Sequence, residues 1–300
     1  MISIAQYLAK KSVVIFLFYG VITRQPPGVR NYTQKHMLRD VFVDHLKTLK
    51  THGMALSMDD IIYHHQNKIP FPDNSFAITF DDGFENNYSV AAPELASLSI
   101  PATFYVTSEF IEENTLSWID KIEYCLDITP KGALHCPWQP KPISFKKPQD
   151  KIALLSEIRY QVKQDPTFNI PPFVGSVFEQ CRQSMVNSLP DRLSQKMTWA
   201  QVKTLHAHPL FTIGGHSHTH PILAFLDDTT LQTEITTSLQ MLKKANIQSP
   251  HYSYPEGLAH CYDERAITLL KKNNIVCCPT AIMGKNDEHT DLFHLKRVML

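Results

Sequence analysis

Two stretches of alternating strand-like and helix-like segments flank a long segment without that rhythm. This pattern constrains the fold of the 300-residue chain more than any other feature. Val13 to Phe18 is an apolar run rich in branched and aromatic residues, the signature of a buried strand. Leu38, Val41, Phe42, His45, Leu46 and Leu49 then recur at helical spacing, and Gly53 offers a C-cap. Ser57 with Asp60 forms a capping box for a short helix. Phe76 to Phe80 and Pro101 to Thr107 read as further strands, and between them Asn86 to Leu98 reads as a helix that Pro93 kinks or restarts. After the break, Thr198 and Gln201 cap a helix from Trp199 to His206. Strands are expected at Phe211 to Ile213, His251 to Tyr254, Ile275 to Cys278 and Leu295 to Leu300. Helices are expected between them at Thr229 to Ala245 and Asp263 to Lys272. Seven strands in this order imply an α/β fold, either a parallel barrel or a doubly wound sheet. In both, functional groups gather at the C-terminal ends of the strands.

The break covers residues 114–196. Five prolines between Pro130 and Pro148 predict an irregular loop, and helices are expected at Ile152 to Val162 and Val174 to Val186. The chain therefore divides into a main domain of residues 1–113 and 197–300 and a helical insert or lid at 114–196.

Composition removes several function classes. Lys plus Arg and Asp plus Glu both number 29, so no cationic excess exists to hold a polyanion, and a nucleic-acid partner is not expected. The chain has ten glycines and neither a Walker loop nor G-x-G-x-x-G, which argues against nucleotide chemistry. No G-x-S-x-G elbow is present, which argues against a serine hydrolase. The apolar run Ser12 to Ile22 follows Lys10-Lys11 and mimics a signal-peptide core, but it lacks a small-x-small cleavage site and is too short to span a bilayer. No transmembrane segment is expected. None of the six cysteines forms C-x-x-C, and free thiols in a cytoplasmic protein are expected, with export as the alternative.

Two motifs carry the chemistry. Asp81-Asp82-Gly83 directly follows the strand ending at Phe80. Gly83 permits a sharp turn that lets both carboxylates enter one cleft, where their repulsion asks for a cation or a shared proton. One carboxylate is then a candidate metal ligand and the other a candidate general base. Alone, Asp-Asp-Gly is more often a solvated turn. The second motif, Gly214-Gly215-His216-Ser217-His218-Thr219-His220, again follows a strand. On a helical turn His216 and His220 would stack on one face about 6 Å apart along the axis, a spacing suited to one metal. The bland reading is a polar surface loop. Together, one Asp and two His form a set with open coordination positions, the arrangement of a hydrolytic or oxygen-using centre.

With both motifs in this order, the sequence resembles the polysaccharide deacetylase family (carbohydrate esterase family 4, the chitooligosaccharide deacetylase homology domain). Thr79 to Gly83 matches its T-F-D-D-G motif, and His216 to His220 matches H-[S/T]-x-x-H. Ala91 to Leu95 and Ile100 to Val106 also look like the segment after the first motif. The resemblance runs from roughly Asn74 to Val106 and from Met197 onward. It implies a distorted seven-stranded (β/α) barrel, with Asp81 as catalytic base and Asp82, His216 and His220 as ligands of Zn²⁺ or another divalent transition metal. The third motif, R-x-P-[Y/F]-G in many members, reads Ser253-Tyr254-Pro255-Glu256-Gly257 here, similar to the Y-P-x-G branch. Its usual Arg is missing, while Pro255 and the N–H of Glu256 remain candidates for contacting substrate. The resemblance to that branch implies an N-terminal His as the acid; here Tyr19 holds its position, and His294 is a substitute by location alone. Arg297 stands where the branch carries an Arg near its end, and it is expected to contact Asp81. Trp118 is a candidate sugar-stacking residue beside the insert, ahead of Trp138 and Trp199. His64, His65, His206 and His208 read as surface residues of helices.

The resulting expectation is a hydrolase that removes N-acetyl groups from an amino sugar or polysaccharide, with an N-acetylated glycan as partner. The alternatives are a catalytically impaired glycan-binding relative and a deformylase of a lipid-linked amino sugar.

Overall fold

The computed structural model describes residues 4–300. In chain order the strands are β1 (Val13–Phe18), β2 (Gly20–Ile22), β3 (His36–Leu38), β4 (Met54–Ala55), β5 (Ser75–Phe80), β6 (Ala102–Val106), β7 (Gly132–Leu134), β8 (Ile143–Phe145), β9 (Phe211–Gly215) and β10 (Arg297–Met299). The α-helices are α1 (Arg39–His52), α2 (Met58–Asn67), α3 (Ala92–Ser97), α4 (Ser108–Glu113), α5 (Trp118–Ile128), α6 (Pro148–Gln164), α7 (Ile170–Gln180), α8 (Trp199–His206), α9 (Asp228–Lys244) and α10 (Glu264–Lys272). The residues divide into two compact units. The first holds the chain up to Thr23, Lys35–Asn114 and Lys196–Leu300; the second holds Arg24–Gln34 and Thr115–Gln195. The second unit thus takes in a segment well upstream of the insert read from sequence.

The first unit is a distorted (β/α) barrel. Its sheet runs β10-β1-β5-β6-β9, all parallel, with β4 paired to β5. Beyond β9 the wall continues through single parallel bridges, Gly215 with Tyr252 and His251 with Cys277. Backbone bonds from Thr280 N–H to Leu295 C=O (2.8 Å) and from Arg297 N–H to Ile282 C=O (2.9 Å) bring it back to β10. The strands expected at 251–254 and 275–278 are therefore isolated bridges. Pro250 and Pro255 bracket the first run and Pro279 ends the second, and a proline can donate nothing to a ladder.

β1 is buried along its whole length because both of its faces are covered. Val14, Phe16 and Phe18 join the cluster that takes in Phe42, Leu46, Leu49, Leu95, Val202 and Leu205 from the surrounding helices. Val13 and Ile15 pack with Ala77, Met58, Ile61 and Phe71, so α2 covers the barrel near the start of β1. The capping box of α2 is present, with Asp60 N–H donating to Ser57 Oγ (3.0 Å) and Ser57 N–H to Asp60 Oδ2 (2.8 Å). Along the outer face a row of rings joins neighbouring strands. Phe18 stacks on Phe80 (5.4 Å between centroids), Phe80 on Phe104 (5.0 Å), and Phe104 meets Phe211 edge-on (5.6 Å). The helix expected over Asn86 to Leu98 starts as one π-helical turn, Asn87–Ala91, before α3. Pro93 has no N–H to offer the turn behind it, which explains the irregular start.

The second unit packs α5, α6 and α7 around Ile122, Cys125, Leu126, Leu154, Leu155, Ile158, Val177 and Phe178. The stretch expected to be irregular, 130–148, holds an antiparallel hairpin of β7 and β8. Its prolines fall outside the two strands, and Pro148 opens α6, where the missing N–H costs nothing. Helix α5 was not expected; Ser117 caps it, accepting from Asp120 N–H at 3.2 Å. Arg30 ties the upstream segment to this unit through Glu123 (3.2 Å), Asp191 (3.3 Å) and Ser194 (2.6 Å). All six cysteines are buried free thiols. Among the described residues no helix is long and apolar enough to cross a membrane.

Removing the central ring of the aromatic row should open a cavity that neighbouring rings cannot refill. We expect Phe80→Ala to lower the unfolding free energy by about 3–5 kcal/mol in urea titrations; a loss below about 1 kcal/mol would mean the row is loosely packed.

Candidate metal centre

Asp81 begins where β5 stops. Its N–H still donates to Phe18 C=O (3.0 Å), and the chain then reverses. The turn is sharper than Gly83 alone would make it, since Asp82 (φ 73°) and Gly83 (φ 77°) are both left-handed. Asp tolerates this region better than most residues. Both carboxylates end up buried, Asp81 at 2% exposure and Asp82 at 8%.

The histidine motif differs from the expected helical turn. Residues 216–222 form an irregular loop, with Ser217 (φ 63°) and His220 (φ 65°) left-handed. The two glycines ahead of it are needed for space. A Cβ on Gly214 would lie 2.5 Å from Tyr105 Cδ1 and 2.9 Å from the His251 carbonyl oxygen, and one on Gly215 would lie 2.6 Å from the Tyr252 ring. The loop sets the imidazoles of His216 and His220 5.0 Å apart at 65°, so they converge without stacking.

The donor atoms of Asp82, His216 and His220 all lie within 4.8 Å of one another. Asp82 Oδ1 is 3.2 Å from His220 Nε2 and 3.6 Å from His216 Nε2. His216 Nδ1 lies 2.8 Å from the Ser253 carbonyl oxygen. A carbonyl only accepts, so Nδ1 carries the hydrogen in the neutral ring and the Nε2 lone pair faces Asp82. Asp82 Oδ1 is buried without a well-aligned hydrogen bond. Burial raises the Asp82 carboxyl, yet without a cation the protonated forms of His220 and His216 outweigh it by charge and hydrogen bonding and hold the group well below the usual carboxylate range, whereas a bound cation would meet the neutral rings. A buried carboxylate oxygen opposed by an imidazole lone pair fits a divalent cation, with two neutral nitrogens and one anionic oxygen as ligands.

Arg297 on β10 lies 1% exposed and grips Asp81 with both ends of its fork. Nη1 donates to Oδ1 at 2.9 Å and Nη2 to Oδ2 at 2.7 Å. Nη2 also donates to Ser253 Oγ (3.0 Å), and Nε donates to the Thr280 carbonyl (2.5 Å). Ser253, where the motif usually has Arg, thus helps hold an arginine that arrives from another strand. Asp81 Oδ2 is 3.9 Å from His216 Nε2, which places the Asp81 pair against the three-residue cluster.

The other sequence-read residues lie around this cluster or apart from it. Tyr19 follows β1, and its carbonyl accepts from Asn87 Nδ2 at 2.7 Å. Burial, then the charges of Asp81, Asp82 and Glu256, push its phenol well above the usual range, with Arg297 opposing, so it stays protonated. Pro255, Glu256 (φ 59°) and Gly257 (φ 59°) form a tight turn just past Ser253. His294 is largely exposed, 3.7 Å from Asp291, and does not join the cluster. Trp118 belongs to the second unit, half-buried against that unit's own core. Sequence reasoning missed Glu234, Tyr252 and Ser108, which hold the histidine loop. Glu234 could have been noticed, because it shares the buried face of α9 with Leu231, Ile235, Ser238 and Leu242.

The sequence profile of polysaccharide deacetylases matches residues 68–278, which include both motifs. The chain belongs to the polysaccharide deacetylase family. The fold agrees with solved structures at low identity. A Streptococcus pyogenes deacetylase, PplD, in complex with acetate superposes with a TM-score of 0.62 at 16% identity, over 96% of this chain and 92% of that one. IcaB from Ammonifex degensii gives 0.60 at 14%, over 98% and 94%. The BpsB deacetylase domain from Bordetella bronchiseptica gives 0.59 at 13%, over 97% of each. No curated protein sequence matches the chain. The family supports deacetylation as the reaction, with Asp82, His216 and His220 as a candidate site.

Breaking the Asp81–Arg297 pair would strand a buried carboxylate. We expect Arg297→Ala to lose about 3–5 kcal/mol in chemical denaturation and Arg297→Ala with Asp81→Asn to recover part of it; equal stability of all three proteins would show that the pair is not buried in solution.

Proposed function

We propose that the chain is a metal-dependent hydrolase that removes N-acetyl groups from an amino sugar or polysaccharide. The observation that supports this most is the convergence of Asp82, His216 and His220 beside a second carboxylate held at both oxygens. Asp82, His216 and His220 would hold Zn²⁺ or another divalent transition metal. When bound, the ion would supply Lewis acidity that polarises the amide carbonyl and acidifies water.

Asp81 is the base. Its carboxylate takes a proton from the attacking water as the water oxygen bonds to the acyl carbon. Arg297 orients that carboxylate through both of its oxygens, the service that an arginine on the third motif would otherwise provide. Cleavage of the C–N bond then releases acetate and a free amine, and the amine must gain a proton. Burial holds the Tyr19 phenol well above the usual range, which matches it poorly to this task, so the proton taken up by Asp81 is assigned to the amine. The Glu256 N–H, in the left-handed turn after Pro255, is the donor assigned to the developing oxyanion.

Elemental analysis and acetate release from N-acetylglucosamine oligomers test this together. We expect about one divalent ion per chain, lost in His220→Ala. Asp81→Asn should keep the ion and lower kcat at least about 100-fold. No ion after reconstitution, or an ion-loaded protein that releases neither acetate nor formate from matched acyl-amino sugars, would reject the reading; formate alone would move it to deformylation.

A further inference from the structure

The loop from His216 to His220 has an unfavourable backbone, so something must hold it. Ser217 and His220 are non-glycine residues in left-handed geometry. The segment makes no helix, so its backbone donors need partners from elsewhere. His216 N–H donates to Val106 C=O (3.0 Å), Ser217 N–H to Tyr252 Oη (2.8 Å), and His220 N–H to Ser217 Oγ (3.0 Å). The two N–H groups in the middle, of His218 and Thr219, both donate to Glu234 Oε2, at 3.0 and 2.9 Å. Thr219 Oγ1 donates to the other oxygen, Oε1, at 2.6 Å. The carboxylate is 8% exposed on α9 and sits in a concavity of successive backbone N–H groups, the kind of site that binds anions.

We propose that Glu234 is the positioning residue of the metal centre. Its carboxylate acts as an internal anion that clamps residues 218 and 219 and so fixes the separation and tilt of the imidazoles on either side. This rests on Asp82, His216 and His220 being metal ligands. Glu234 touches neither the ligand atoms nor the Asp81–Arg297 pair, so it acts through the loop. A neutral amide replaces it only in part. The Gln oxygen can still accept both N–H groups and its NH₂ can donate to Thr219 Oγ1, but the negative charge that strengthens the bonds to the N–H concavity is lost.

The test measures Zn²⁺ affinity of the full chain by competition with a chromophoric chelator. Glu234→Gln should bind about 10–100-fold more weakly than the wild type, the usual effect of losing a partner that orients a ligand. Hydrogen exchange at His218 and Thr219 in the metal-free variant should be faster. Thr219→Val, which removes the hydroxyl contact alone, should weaken binding less. A general structural role would lower the melting temperature of the metal-free protein and leave the affinity of the folded chain unchanged, and that result overturns the proposal. Should Glu234→Gln fail to fold, unchanged affinity in Thr219→Val overturns it instead. A wild-type chain that binds neither Zn²⁺ nor another divalent transition metal overturns this inference and the metal reading together. A wild type that binds Zn²⁺ without hydrolysing acyl-amino sugars overturns the deacetylase reading alone.

Discussion

The bidentate pair between Arg297 and Asp81 draws the barrel's distant segments onto one point. Asp81 ends β5, Arg297 lies on β10, and the guanidinium also reaches Ser253 and the Thr280 carbonyl. Four positions spread over more than two hundred residues are thus referred to one planar group. Burying such a pair is costly, and the cost is met only when each donor and acceptor is satisfied. Arg297 meets that condition, so the pair acts as a geometric reference for Asp81. Asp81 in turn stands 3.9 Å from His216, so its orientation bears directly on the cluster.

Part of the chain's backbone strain lies at the same point. Asp82, Gly83, Ser217, His220, Glu256 and Gly257 all have positive φ, and all lie on turns at or next to the cluster. Each non-glycine member costs about 1–2 kcal/mol relative to ordinary backbone. Regular structure would avoid this, but a strand sends adjacent side chains to opposite faces and could not turn Asp81 and Asp82 into one cleft. The surrounding barrel supports the irregular backbone by supplying partners from packed elements, among them Glu234 on α9 and the Tyr252 hydroxyl.

Elements with strong local signals were readable. β1, α1, α2 and α8 were expected close to where they lie, because apolar spacing and capping boxes are local properties. The errors fell where longer-range effects decide. The runs at 251–254 and 275–278 have strand composition but are bracketed by prolines, and pairing partners decide whether a short run becomes a strand. The hairpin of β7 and β8 was hidden because prolines dominate the stretch while its strands are three residues each.

The sequence by itself determined which chemistry is available. Two adjacent carboxylates after one strand and two imidazoles four residues apart after another are donors that few other functions need together. It also marked where backbone must reverse, at Gly83, and where neighbours leave no room for a side chain, at Gly214 and Gly215. Only the tertiary structure decided the geometry. That His216 presents Nε2 depends on the Ser253 carbonyl, and that Asp81 faces the cluster depends on Arg297. The histidine loop is irregular rather than a helical turn, and its N–H groups are taken up by Glu234 and Tyr252. These contacts join residues 15 to 216 positions apart, and spacing along a chain carries no information about hydrogen bonds made across a fold.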